Sequence, residues 1–266
     1  MDFTGYLNYA NYEANAKPLR VAAAIRDARL EYGVVPEARD ATDDLLDGVG
    51  FMLVDAPSTV TDWADKDEVA RVYYDEAQAT VQALLPSFEL GRLQSHTFRN
   101  EDIEEHCWVD GIQYGPCAEF VHNDYADFLT PDGQNVEKSF AEVMGMPTDR
   151  RVVGVNVWRS VTDEPLARFP LAVCDRTSIA HDDLRYDLNP NAPKPFNAHY
   201  CVPSDAHRWH YYSGMTRDEA LVFTTYDSKP DDGGLFRPTL HTAVQIPGSE
   251  GRTPRVSVEV RLFAYR

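Results

Sequence analysis

His122-Asn123-Asp124, answered far downstream by His241 and then by Arg255-Val256-Ser257, holds the residue types of a metal centre with an anion clamp behind it. Two imidazoles and one carboxylate suit a ferrous ion. They fill three positions on one face and leave the others open for a cosubstrate and dioxygen. Arg255 with Ser257 suits the distal carboxylate of 2-oxoglutarate, because a guanidinium fork takes a carboxylate bidentately and a hydroxyl adds another hydrogen bond. A His-x-Asp triplet alone recurs by chance. The order His-x-Asp, then His, then Arg-x-Ser carries the reading.

Such residues need strands to aim them, and the last segment shows how. Arg255, Ser257, Glu259 and Arg261 alternate with Val256, Val258, Val260 and Leu262. A period of two puts the polar set on one face of a strand and the apolar set on the other. On a cavity wall Arg255 and Ser257 point the same way, and Glu259 and Arg261 must neutralise each other or other buried groups. A solvent-exposed polar face is the alternative.

Other strand-like segments run from Phe88 to Phe98, Ala118 to Asn123, Val152 to Ser160, Leu171 to Asp175, Trp209 to Ser213, Ala220 to Asp227 and Leu240 to Ile246. Turn residues at Pro131-Asp132-Gly133, Asp231-Asp232-Gly233-Gly234 and Pro247-Gly248 punctuate them. Upstream, Gly50 to Val54 reads as a short buried strand. Residues 67–85 place Val69, Val72, Tyr73, Ala77, Val81 and Leu84 at helical spacing before Pro86. Residues 1–50 look polar and irregular, an arm lying over the body. The expected fold is mainly β with flanking helices around a double-stranded β-helix, a jelly-roll, cupin-like core. One domain over 1–266 is expected, with 1–87 as arm, strand and packing helix and 88–266 as the core. Residues 187–203, rich in Asn and Pro, look too long and irregular for a hairpin and suit a lid or binding loop.

A rival triplet, His181-Asp182-Asp183, also precedes His241. A double-stranded β-helix separates its first ligand pair from its last histidine by about four strands, and the segments after Asp124 meet that count better than those after Asp183. His207-x-x-His210 reads as a loop entering a strand. His96, His106 and His199 have no partner pattern. No G-x-S-x-G elbow, phosphate loop or G-x-G-x-x-G fingerprint occurs.

A formal charge of -18 disfavours nucleic acid and anionic membrane as partners. No apolar run is long enough to span a bilayer, and the N-terminus lacks the pattern of a signal peptide. A cytoplasmic location is expected, with Cys107, Cys117, Cys174 and Cys201 as reduced thiols. The partner is a small-molecule substrate, and a homodimer stays open.

Gly50-Phe51 to Val54, Tyr73-Tyr74-Asp75-Glu76, His122-Asn123-Asp124-Tyr125, Asn156-Val157-Trp158-Arg159, Pro170-Leu171-Ala172, Tyr226-Asp227-Ser228, His241-Thr242-Ala243 and Arg255 to Arg261 together resemble the hydroxylase/desaturase family of microbial secondary metabolism. That family includes aspergillic-acid-type desaturases and a component of cephamycin 7α-methoxylation. The resemblance covers most of the chain from about residue 50 and keeps its order. It implies an iron(II)/2-oxoglutarate-dependent dioxygenase that acts on an unactivated C–H bond of a natural-product intermediate, by hydroxylation, desaturation or oxidative ring formation. It implies His122, Asp124 and His241 as iron ligands and Arg255 with Ser257 as cosubstrate clamp; on the same strand face a shifted register makes Arg261 the clamp instead. Asn156, Trp158 and Arg159 are expected to line the pocket or support the cosubstrate. Halogenating relatives replace the carboxylate by a small residue, so Asp124 argues against halogenation. Tyr114, Trp158, Trp209, Tyr211 and Tyr212 are candidate substrate walls, since aromatic rings with a polar tip suit small-molecule sites. Two alternatives stay open: a cupin-like metal enzyme that does not use 2-oxoglutarate, and a non-catalytic pathway partner.

Overall fold

The computed structural model describes residues 1–11, 17–35, 38–131, 135–188, 197–230 and 234–266. The turn residues Asp132-Gly133 and Asp231 to Gly233 lie outside that set, as do residues 189–196.

Two eight-stranded sheets carry the chain. The first runs β1 (Phe3–Tyr9), β2 (Leu19–Asp27), β15 (Trp209–Tyr211), β12 (Leu171–Cys174), β17 (His241–Ala243), β8 (His122–Asn123), β14 (Asn197–Cys201), β13 (Leu184–Leu188). The second runs β3 (Phe51–Asp55), β16 (Glu219–Asp227), β11 (Val152–Ser160), β18 (Val256–Tyr265), β5 (Thr97–Asn100), β7 (Ile112–Gly115), β6 (Cys107–Val109), with β4 (Glu89–Leu93) also on β18. A small ribbon pairs β9 (Phe128–Leu129) with β10 (Val136–Lys138). This is the curled two-sheet jelly roll expected of the chain.

Period-two alternation sorts the side chains into layers. From the second sheet, Val153, Val155, Val157, Val222, Val258 and Val260 turn outward and pack with the helical segment 66–84. That segment starts at Asp65, whose carboxylate accepts from Asp67 and Glu68 N–H. It buries Val69, Tyr73, Ala77, Val81 and Leu84. Trp158, Leu221 and Phe223 turn inward instead and meet Val173 and Leu171 of the first sheet.

Three expectations give way. Residues 1–50 are not an irregular arm: β1 and β2 form an antiparallel hairpin, and β2 joins β15 in parallel. Val121 N–H donates to Asn8 O at 2.8 Å, beside a parallel bridge from Asn8 to Phe120, so the hairpin also reaches the segment that leads into β8. Leu7, Tyr9, Ile25, Trp209, Tyr211 and Val121 share one buried cluster there. Second, the ends of the Asn- and Pro-rich stretch pair as a hairpin, Asp187 with Ala198 and Leu184 with Cys201, so those residues belong to the sheet. Third, Arg159 lines no cofactor pocket. It donates through Nε to Tyr73 Oη (3.0 Å), Nη1 to Arg217 O (3.0 Å) and Nη2 to Ala56 O (2.9 Å), tying helix to sheet.

Arg159→Met should therefore lower unfolding free energy by about 3 kcal/mol in urea titration, since three hydrogen bonds to a charged group vanish and leave two partly buried carbonyls unmet. Iron affinity should change little. A pH effect follows from His199, buried and pushed down to about 3 by desolvation. Between the ordinary value of 6.5 and that lowered value the unfolded chain binds a proton and the folded one does not. Stability is thus complete above 6.5 and falls with falling pH by on the order of 1 kcal/mol per unit. Urea titrations of His199→Asn across that range should show a shallower slope.

Candidate metal and cosubstrate site

His122 ends up beside His241 because β8 and β17 pair antiparallel at that very position. Their rings lie 4.5 Å apart between centroids. Asp124 follows β8 and turns its carboxylate to the same place, with Oδ1 4.0 Å from His122 Nε2. One ligand atom from each of the three residues falls within 4.8 Å of the others. Local hydrogen bonds fix both imidazoles. His122 Nδ1 donates to Phe120 O (2.7 Å) and His241 Nδ1 to Thr239 O (3.1 Å), which leaves each Nε2 as a lone pair facing the cluster. Burial, then the neighbouring His241, pushes His122 down to about 4, and burial lowers His241 as well. Neutral imidazoles are the form a metal needs.

Asp124 is held from behind. Asn156 Nδ2 donates to its Oδ2 at 2.7 Å, and Thr225 Oγ1 donates to Asn156 Oδ1 at 3.0 Å, which sets the amide. Arg261 forks onto both carboxylate oxygens, Nε to Oδ2 at 3.0 Å and Nη2 to Oδ1 at 3.2 Å, and also contacts Glu259 at 2.7 Å. Burial alone would raise the Asp124 carboxyl, but the Arg261 charge, with both histidines, holds it well below the usual carboxylate range. Burial raises Glu259, partly offset by Arg261. Two residues expected at the cosubstrate, Asn156 and Arg261, thus serve the Asp124 carboxylate instead, and Arg261 has no free fork for another.

Arg255 and Ser257 differ. Both are buried on the inward face of the strand that ends the chain. Arg255 Nη1 donates to Phe169 O (2.7 Å), its backbone N–H donates to Glu101 Oε2 (2.6 Å), and its guanidinium lies 5.4 Å from the Trp158 ring centre. Phe169 has φ +46, a left-handed conformation that only local demands justify in a residue with a side chain. Arg255 Nε and Ser257 Oγ have no hydrogen-bond partner among the described residues. An unmet buried donor costs about 1–3 kcal/mol, so two on one strand face call for an acceptor such as a carboxylate. Trp158 lies on this inward face with them.

Other candidates lie elsewhere. Tyr114 faces the helix side with Phe98. Trp209 and Tyr211 point away from His241, into the cluster under the N-terminal hairpin, where Trp209 Nε1 donates to Tyr9 Oη and Tyr211 Oη to Met1 O. Tyr212 packs inward on Phe51. In the rival triplet Asp183 contacts His207 Nε2 at 3.2 Å, apart from His241. His210 contacts Glu31. The four cysteines are free thiols. Thr225, Glu101 and Phe169 were not legible as site residues, since their roles come from contacts across the fold.

A family described as oxidoreductase/YMDC permease-like domain matches residues 8–265. The hydroxylase/desaturase efuI of Hormonema carpetanum is 30% identical over 247 residues, 83% of this chain and 78% of its own. The alpha-ketoglutarate-dependent dioxygenase phiK of a fungal species is 28% identical over 229 residues, 82% of this chain and 78% of its own. The solved structure of the iron and alpha-ketoglutarate-dependent endoperoxidase NvfI shares the fold, with TM-score 0.66 at 21% identity over 98% of this chain and 91% of that one. With the His–Asp–His cluster in place between its sheets, the chain belongs to the hydroxylase/desaturase family of non-haem oxygenases that use iron(II), 2-oxoglutarate and dioxygen.

Proposed function

We propose that this protein oxidises an unactivated C–H bond of a small natural-product intermediate, by hydroxylation, desaturation or oxidative ring formation, with Arg255 and Ser257 gripping the distal carboxylate of 2-oxoglutarate. The observation that carries the grip is the pair of unmet buried atoms, Arg255 Nε and Ser257 Oγ, on the strand face that also holds the Asp124 network. Bound iron(II) with 2-oxoglutarate and dioxygen supplies the power to remove hydrogen from carbon, with succinate as by-product.

The residues do the rest by position. His122, Asp124 and His241 offer three ligand atoms on one side and leave the opposite side to cosubstrate and substrate. Oδ2 of Asp124 takes two donors, Asn156 Nδ2 and Arg261 Nε, whereas Oδ1 takes one longer contact from Arg261 Nη2, so Oδ1 would be the oxygen better placed to hold a metal. Arg255 lies against Trp158, so its fork is held in a dry wall. The N-terminal hairpin shares a sheet with both histidines, which supports one working unit over 1–266. Among the described residues no helix is long and apolar enough to cross a membrane. We propose a cytoplasmic location, and the formal charge of -18 argues against nucleic acid and anionic membrane as partners.

Anaerobic addition of iron(II) and 2-oxoglutarate should give a weak visible charge-transfer band. Its absence at saturating iron would sink the assignment of this cosubstrate. His122→Ala, Asp124→Ala and His241→Ala should each lose iron by elemental analysis and lose turnover, whereas His181→Ala keeps both. Full iron occupancy in His122→Ala would contradict the ligand set. Arg255→Ala should weaken 2-oxoglutarate by about 2–3 kcal/mol and Ser257→Ala by about 1 kcal/mol, read from the midpoint of the band. An unchanged midpoint in Arg255→Ala would remove the clamp.

A further inference from the structure

Arg99 stands next to Ser257 across the β5–β18 ladder and next to Gly115 across β5–β7, so its side chain shares the inward face with the clamp. Its contacts are neutral. Nη1 meets His106 Nδ1 at 2.9 Å, and Nη2 donates to Gln113 Oε1 at 3.1 Å. Gly115 makes room for this pair: a Cβ there would lie 2.2 Å from His106 Nδ1 and 2.9 Å from Arg99 Nη1. No carboxylate among the described residues pairs with Arg99, in a chain with far more acids than bases. The nearby acids are taken. Glu101 pairs with Arg168, and Asp124 and Glu259 share Arg261. Arg99 is half-buried, and desolvation with the Arg261 and Arg255 charges brings it down to about 10 against the pull of Glu259 and Asp124.

We propose that Arg99 binds a carboxylate on the oxidation substrate. The proposal rests on the oxygenase reading above and deepens it. Charge balance supports it. Arg99, Arg255 and Arg261 face Asp124 and Glu259, and iron(II) and 2-oxoglutarate cancel each other, so the excess positive charge is that of a single arginine. Position decides which arginine serves which anion. Arg255 is almost fully buried at 2% exposure, deep enough for the cosubstrate, whereas Arg99 keeps partial exposure beside the exposed His106, where a substrate arrives from solvent. A guanidinium with neutral hydrogen-bond partners is held in place yet uncompensated, which favours a charged ligand over a neutral one.

Benzoate and its neutral analogue benzamide serve as probes, titrated calorimetrically into protein holding Mn(II) and 2-oxoglutarate without oxygen. Benzoate should bind about tenfold more tightly than benzamide, and Arg99→Gln should remove that preference while Arg99→Lys keeps part of it. The 2-oxoglutarate midpoint should stay within about twofold in Arg99→Gln, in contrast to Arg255→Ala. Equal binding of the two probes, binding of neither, or benzoate binding unmoved by Arg99→Gln would overturn the proposal. So would a 2-oxoglutarate midpoint shifted as far as in Arg255→Ala, which would assign Arg99 to the cosubstrate. Failure of unaltered protein to bind 2-oxoglutarate would strike only the oxygenase reading, and the same two probes on metal-free protein would still decide the role of Arg99.

Discussion

The fork of Arg261 on Asp124 is the contact around which the rest is arranged. A strand with period two that buries valines on one face must put its other face somewhere, and here that face also goes inside. Three charged side chains thereby leave water. Burying a charge costs several kcal/mol unless partners replace the solvent, so the strand obliges its neighbours to supply them. Asp124 and Glu259 meet Arg261, and Asn156 and Thr97 add neutral hydrogen bonds. The same contact fixes the direction of the carboxylate, so structural necessity and metal geometry share one solution.

The two histidines reach this point by a different route. Asp124 lies beside both, but burial outweighs its pull and keeps each imidazole neutral. Each is locked by a main-chain carbonyl two residues before it, Phe120 for His122 and Thr239 for His241. Backbone-fixed tautomers cost little electrostatically and survive in a dry interior. The site therefore divides labour: the carboxylate is oriented by charge and the imidazoles by backbone.

Much of this was legible in order and spacing. The grouping of His122, Asp124 and His241, the shared face of Arg255 and Ser257 and the strand Val152 to Ser160 follow from residue type and period alone, and the helix over 66–84 from its apolar stripe. What escaped depended on register between distant strands. Tyr114, Trp209 and Tyr211 have the right chemistry for a pocket, but the face each takes is decided by its partner strand. Arg261 has the right chemistry for a clamp, but Asp124 claims it first. The Ala-rich run in Leu19–Asp27 hid a strand because small residues give no alternation, although Gly5 held a cue: a Cβ there would lie 2.7 Å from Val244 Cγ2, the mark of close approach in a sheet. The strands β13 and β14 were hidden by a composition that suits turns.

The N-terminal hairpin imposes an order on folding. It is synthesised before its partners, Trp209 to Tyr211 and the segment at Phe120 and Val121. Its edges must wait, unpaired, until most of the chain exists. Closing so long a loop makes this docking a late step, governed by topology more than by local propensity. Two strands exposed for that interval are the natural sites for mispairing between nascent chains. Slower elongation through the middle of the chain lengthens that exposure.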